Sequence, residues 1–430
     1  MTCEVVVANR LGIALAADSA VTFTNGNSDK ATYASGANKI FQLTATDPVA
    51  VMVYNSADLN RVLWEVILKR YRKELGETSF GNLNAYASDL IDFVNNRTSR
   101  LLPPEVREAG TKDAVAQGVL FAFNQVLAVR PVLRQPATDA STLQAEWLAG
   151  VADVAALLNG VPVDPILDAA DLAHLQATLT VPFAQEVLIF LNDEHQHLAS
   201  LVNCEDLVRL GLQHLFCRPQ LVLNRSTGVV VAGFGDEDFL PGFVEFQVYG
   251  FVGAKVYWRP GRSLAVNNTD RPSFIEPFAR KSMVETFTQG ASPEVWKAVR
   301  EAFAVHSAEV TKRAAAAAGV SIDQSTVDAA VHAELDPFTD NWAVSVLRSH
   351  LAPLNSVIGS LNVEDLAELA ETMVMLESLK EKVTSRTQGV GGPVDVAVIT
   401  KSEGLVWIKR KHYFNPEINQ RYLLRLQRGV

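Results

Sequence analysis

Gly12-Ile13-Ala14-Leu15-Ala16-Ala17-Asp18-Ser19-Ala20-Val21-Thr22 decides how the rest of the chain is read. It is a run of small and apolar residues that ends in an aspartate, the pattern of a buried strand with a carboxylate at its tip. Just ahead of it, Glu4 to Asn9 is a β-branched run, and Asn9-Arg10-Leu11-Gly12 between the two is a turn signal. Folded as an antiparallel hairpin, the pair returns Asp18 to the side of Thr2. Two more strands are expected, Lys39 to Leu43 and Val49 to Tyr54, after a polar stretch from Thr24 to Asn38.

Working outward, the hydrophobic period changes. Ala57 to Leu75 and Phe80 to Asn96 carry apolar residues at three- and four-residue spacing, as amphipathic helices do. Leu101 to Leu221 is rich in Ala, Leu and Val, punctuated by prolines, and reads as helical. Strands are expected again at Gly228 to Gly233, Phe243 to Phe251 and Ala254 to Trp258. Helical texture runs from Phe274 to about Arg386, and the end returns to β at Pro393 to Thr400 and Leu405 to Lys409. The order is that of an α+β core interrupted by helical insertions.

Composition bounds the function. The chain has 430 residues, 48% of them apolar, and a net charge of −10. Such a chain supports a large core, and its acidity disfavours a duplex nucleic-acid partner. Three cysteines (Cys3, Cys204, Cys217) make no disulfide framework and suit a reducing cytosol. No apolar run is long enough to span a membrane, and no secretory leader is visible, so a cytoplasmic location is expected. His195, His197, Cys204, His214 and Cys217 lie along one helical stretch, where four ligands do not converge, so no metal is expected.

Thr2 brings the chemistry. When a small residue follows the initiator methionine, the methionine is generally trimmed, so the mature chain is expected to start at Thr2. A terminal threonine holds a hydroxyl and a free α-amine on one residue, and the amine can take the hydroxyl proton without a separate histidine. A lysine nearby, such as Lys39, lowers the amine's pKa, and a carboxylate such as Asp18 orients a cation. Each residue also has a plainer role: Met-Thr as an ordinary start, Asp18 as a turn cap, Lys39 as a solvent-facing strand residue.

In this pattern the chain resembles a proteasome β-type subunit, an N-terminal-nucleophile hydrolase, and more closely a large, divergent, bacterial-type proteasome-like protein. That family has a leading Thr, a strand, and a G-hydrophobic-hydrophobic-hydrophobic-A-x-D-S-x-x-T block at the spacing of Thr2 to Asp18. Its catalytic lysine opens a hydrophobic strand, as Lys39 does in Asn38-Lys39-Ile40-Phe41-Gln42-Leu43. The closing Gly391-Gly392-Pro393-Val394-Asp395-Val396-Ala397-Val398-Ile399 is similar to its last hairpin.

The resemblance implies a four-layer αββα sandwich with catalytic Thr2, Asp18 and Lys39. It also implies an oxyanion hole from backbone N–H groups at Tyr54 or Asn55. The family's supporting Asp and Ser have no counterpart in register; Glu381, Ser385 or Thr387 could stand in, and Ser273 is offered for a further supporting serine. The implied layout is 1–97 as the N-terminal half of the core, 98–222 a helical insertion, 223–290 the middle of the core, 291–360 a second insertion and 361–430 its end. The implied activity is hydrolysis of a peptide or amide, with no metal or organic cofactor and a possible homo-oligomer. Rivals are a small-amide amidohydrolase or transpeptidase on the same site, and a non-catalytic structural protein.

Overall fold

The computed structural model describes residues 2–24, 31–97, 102–384, 391–412, 414–415, 417–421 and 424. The first strands are β1 (Cys3–Asn9), β2 (Gly12–Ala17), β3 (Ala20–Thr24), β4 (Ala31–Ser35), β5 (Ile40–Gln42) and β6 (Val49–Tyr54). A short hairpin, β7 (Asp58–Leu59) and β8 (Val62–Leu63), leads into α1 (Trp64–Leu75) and α2 (Leu83–Asp92). Then come α3 (Pro104–Val129), α4 (Ala140–Ala156), α5 (Ala169–Glu194), α6 (Cys204–Cys217) and α7 (Pro219–Val222). Four strands follow: β9 (Thr227–Gly233), β10 (Gly242–Val252), β11 (Lys255–Ala265) and β12 (Ser273–Ala279). Next are α8 (Ser282–Gln289), α9 (Pro293–Ala317), α10 (Gln324–Val346), α11 (Ala352–Ile358) and α12 (Val363–Thr384). The hairpin β13 (Asp395–Thr400) and β14 (Gly404–Lys409) closes the architecture.

The result is an open, multi-sheet α+β architecture with flanking helices. One five-stranded sheet has the order β12-β1-β2-β13-β14, and the other β11-β10-β9-β6-β5. Side chains alternate across a strand, so each strand feeds two cores. Val6 and Ala8 of β1, Ile13 and Leu15 of β2 and Ala397 and Ile399 of β13 meet Ala50 and Met52 of β6 and Val230 and Ala232 of β9 in one cluster. The intervening residues Val5, Val7, Ala14, Ala16, Val396 and Val398 pack on Leu366, Ala370, Met373 and Val374 of α12. Behind the second sheet, Val51, Val53, Val229 and Val231 pack on Trp64, Leu68 and Tyr71 of α1 and Tyr86 and Leu90 of α2.

Helices α3 to α7 build a core of their own around Phe123, Trp147, Leu191, Leu212 and Phe216. Two glycines let α3 and α6 cross closely: a Cβ on Gly211 would lie 2.7 Å from the Val119 backbone, and one on Gly118 would lie 2.7 Å from the Gly211 carbonyl oxygen. This block reaches Val252 and Tyr257 of the second sheet. They lie beyond the pairings of Val248 with Thr227 and Tyr54 with Gly228, so the block sits at the Tyr54 end of that sheet.

Three elements differ from the sequence reading. Phe274 onward forms strand β12 and not helix, because Phe274, Glu276 and Phe278 alternate with Ile275 and Pro277 and the strand lies at the sheet edge, where proline costs no ladder bond. The segment from Ala57 opens with the β7–β8 hairpin before α1 begins at Trp64; Asn60 and Arg61 both have positive φ there, the turn geometry that joins two such strands. The polar stretch from Thr24 to Asn38, in which no strand was expected, holds β4, which pairs with β3 from Ala20↔Ser35 to Thr24↔Ala31. Among the described residues, no helix is long and apolar enough to cross a membrane.

Candidate active site

The site forms where β1 begins and β2 ends. The β1–β2 register sets Glu4 opposite Ala17, so the next residue of each strand closes the ladder: Asp18 N–H donates to the Cys3 carbonyl at 3.2 Å, and Cys3 N–H donates to Asp18 Oδ1 at 3.1 Å. The same alternation that sends Val6 and Ala8 between the sheets sends Thr2 and Glu4 there too. Cys3 points the other way. Burial holds its thiol well above its usual pKa, which leaves it un-ionised.

Lys39 arrives from the facing sheet. Its carbonyl accepts from Val53 N–H at 2.8 Å, fixing it at the head of β5. Its Nζ donates to Glu4 Oε1 at 2.9 Å and to Asp18 Oδ1. Asp18 Oδ2 accepts from Gly391 N–H at 2.8 Å. Thr2 Oγ1 donates to Glu4 Oε2 at 3.2 Å. Thr2, Asp18, Lys39 and Glu4 therefore form one buried, hydrogen-bonded group, with exposures of 4%, 1%, 5% and 0%.

Electrostatics follow from that burial. Desolvation pulls the Lys39 ammonium down, but Glu4 and Asp18 outweigh it, so its pKa stands above the usual value and the lysine stays charged. Desolvation pushes Glu4 up to about 7, against the pull of Lys39. The plainer reading of Lys39 as a solvent-facing strand residue is overturned: it spans the two sheets.

The other expected site residues lie in different places. Tyr54 ends β6 beyond Val53, the partner of Lys39, and its hydroxyl donates to Glu245. Burial and Glu245 push its pKa up, so the phenol stays protonated. Gly228 makes room for the ring, since a Cβ there would come within 1.9 Å of it. Asn55 has φ +68°, and Ser56 N–H donates to the Tyr54 carbonyl at 3.1 Å, a three-residue γ-turn at the head of the second sheet.

Ser273 does not join the group. It pairs with Asn9, whereas Cys3 pairs with Ala279, so Ser273 lies at the far end of β1, roughly 20 Å away at about 3.3 Å per residue. Its hydroxyl donates to the carbonyl of Asn355 in α11 at 2.6 Å and ties that helix to the edge strand. Ser385 and Thr387 lie outside the described residues. Glu381 is buried and pairs with Arg280 at 3.3 Å, and Arg280 N–H donates to the Thr2 carbonyl at 3.0 Å. Glu381 Oε2 has no hydrogen-bond partner among the described residues.

Two residues escaped the sequence reading. Ser282 opens α8 next to the Thr2 end of β12, and its hydroxyl meets Glu377 at 3.0 Å and Lys380 at 2.6 Å. Glu4 is the second. The available signal was its place two residues after Thr2 on a strand, which puts both side chains on one face.

No protein-family model and no curated protein matches the chain. Among solved structures it is similar to an Anbu (Gly-1) mutant from Hyphomicrobium sp. strain MC1, at 8% identity and a TM-score of 0.27, over 100% of this chain and 96% of that one.

Proposed function

We propose that this chain is an N-terminal-threonine amide-bond hydrolase, a proteasome-like peptidase on a four-layer αββα sandwich, with 98–222 and 291–360 as helical insertions. The observation that supports it most is the burial of a charged Lys39 between Asp18 and the Thr2 strand. A cation held there favours the neutral, basic form of a nearby amine. After removal of residue 1, Thr2 Oγ attacks the amide carbonyl and the α-amine of the same residue takes the hydroxyl proton. Backbone N–H groups near Tyr54 and Asn55 receive the oxyanion, and water then hydrolyses the acyl ester.

Intact-mass measurement and labelling with a peptide electrophile test this reading. The expected result is a chain starting at Thr2, with one label on Thr2. Active protein that keeps Met1 sinks it. The low exposure of Thr2 favours one rival, a non-catalytic protein of the same fold; it predicts a properly trimmed chain that takes no label.

A further inference from the structure

We propose that Glu4 is a second proton acceptor for the Thr2 hydroxyl, acting beside the α-amine; this rests on Thr2 being the nucleophile. The geometry is direct. Thr2 Oγ1 donates to Glu4 Oε2 at 3.2 Å, at the outer edge of the distance over which a side chain takes a proton in one step. The other oxygen, Oε1, is fixed by Lys39 Nζ at 2.9 Å, so the carboxylate cannot turn away from the hydroxyl. No part of Glu4 is solvent-exposed, so water does not compete for the proton.

A strand position packed between two sheets ordinarily takes an apolar residue. A lone buried carboxylate there is costly, and Lys39 is already matched by Asp18, so Glu4 adds a negative charge that the ion pair does not require. Apart from the Thr2 α-amine, which shares the proton-accepting role, the charged side chains on the neighbouring strands are engaged elsewhere. On β12, Glu276 pairs with Arg262, and Arg280, just past the strand, pairs with Glu381. On β13, Asp395 pairs with Lys411, and on the facing sheet Glu245 pairs with Arg262. A carboxyl pushed up to about 7 is matched to base work near neutral pH.

The step balances. The Thr2 Oγ–H proton passes to Glu4 Oε2 as Oγ bonds to the carbonyl carbon and the π pair moves to oxygen. On collapse the C–N bond breaks, and the leaving nitrogen takes the proton back from the Glu4 carboxylic acid. With a β-lactone probe the ring oxygen is the leaving group and takes that proton, while the acyl group stays on Thr2.

The test compares β-lactone labelling of Thr2, read by mass spectrometry from pH 5 to 9, in the wild type and Glu4→Gln. Gln copies the shape of protonated Glu4, so this variant should fold as the wild type does below pH 7. Labelling is expected to fall about 100-fold at pH 8, and the part of its rise that belongs to Glu4, centred near pH 7, should disappear. A Glu4→Gln rate within threefold of wild type, with an unchanged pH profile, overturns the proposal and leaves Thr2 intact as nucleophile. No label on wild-type Thr2 instead overturns the nucleophile itself. Should Glu4→Gln fail to fold, Glu4→Asp replaces it: the shorter arm should slow labelling at least tenfold while the rise near pH 7 persists, and an undiminished rate overturns the proposal.

Discussion

Lys39 is the residue on which the site balances, because it brings positive charge into a space that holds two carboxylates. Lys39→Met leaves both buried and unpaired, a change that typically costs about 3–5 kcal/mol. The expected outcome is a clear drop in the urea midpoint together with loss of Thr2 labelling; an unchanged midpoint would contradict the buried pair. Glu4 gives a prediction with a definite sign. Its folded pKa of about 7 lies above the ordinary carboxyl value, so the folded state holds that proton between pH 4.5 and 7 while the unfolded chain has lost it. Glu4's contribution to stability is therefore full below pH 4.5 and is lost as pH rises to 7. The stability of Glu4→Gln relative to wild type should climb across that window and level off above it, as read by urea unfolding at pH 5, 6, 7 and 8. Thr2, Asp18 and Lys39 were legible in the sequence because each sits at the end of a recognisable strand. Glu4 was not, since within Cys3-Glu4-Val5-Val6 it looks like one polar residue in a strand. Only the arrival of Lys39 from the other sheet makes it part of a site.

At the scale of elements, helix α12 shows how a polar end is fitted to an apolar stripe. Leu366, Ala370, Met373 and Val374 pack on the first sheet, and the same face continues as Glu377 and Glu381. Glu377 accepts from Met283 N–H at 2.7 Å and from Ser282, so it fixes the start of α8 beside the Thr2 end of β12. The α3–α6 crossing carries a separate prediction. Gly211→Ala places a methyl against the Val119 backbone and forces the helices apart, at a cost of about 1–3 kcal/mol typical of overpacking. A lowered thermal midpoint is expected, and an unchanged one would mean that the crossing is looser than described. The helices of this block were legible from their texture and prolines. Strand β12 was not, because Pro277 and the neighbouring helical composition hid an alternation that only its edge position allows. That error also misplaced Ser273, since the register of β12 decides which of its ends meets Thr2.

Across the whole molecule, stability is unevenly spread. The two sheets and the block from α3 to α7 have buried cores, whereas no residue of α9 is fully buried and Val327 alone is in α10. These two helices hold to each other through stacked rings, Trp296 on Trp342 at 3.7 Å and Phe303 on Phe338 at 4.0 Å. Limited proteolysis should cut first between Ala317 and Gln324 and leave the sheets intact; early cleavage within β1 or β13 would contradict this ranking. The overall class was legible because the order of strands and helices survives local errors, but the pairing of distant strands was not, as no local pattern encodes it. That pairing sets a timetable for synthesis. Strand β1 is synthesised well before its outer neighbour, which ends at Ala279. At roughly 5–20 residues per second, the first strand waits tens of seconds with one side open. For that interval the edge of β1 that will take β12 presents unpaired backbone groups, open to whichever extended segment reaches it first.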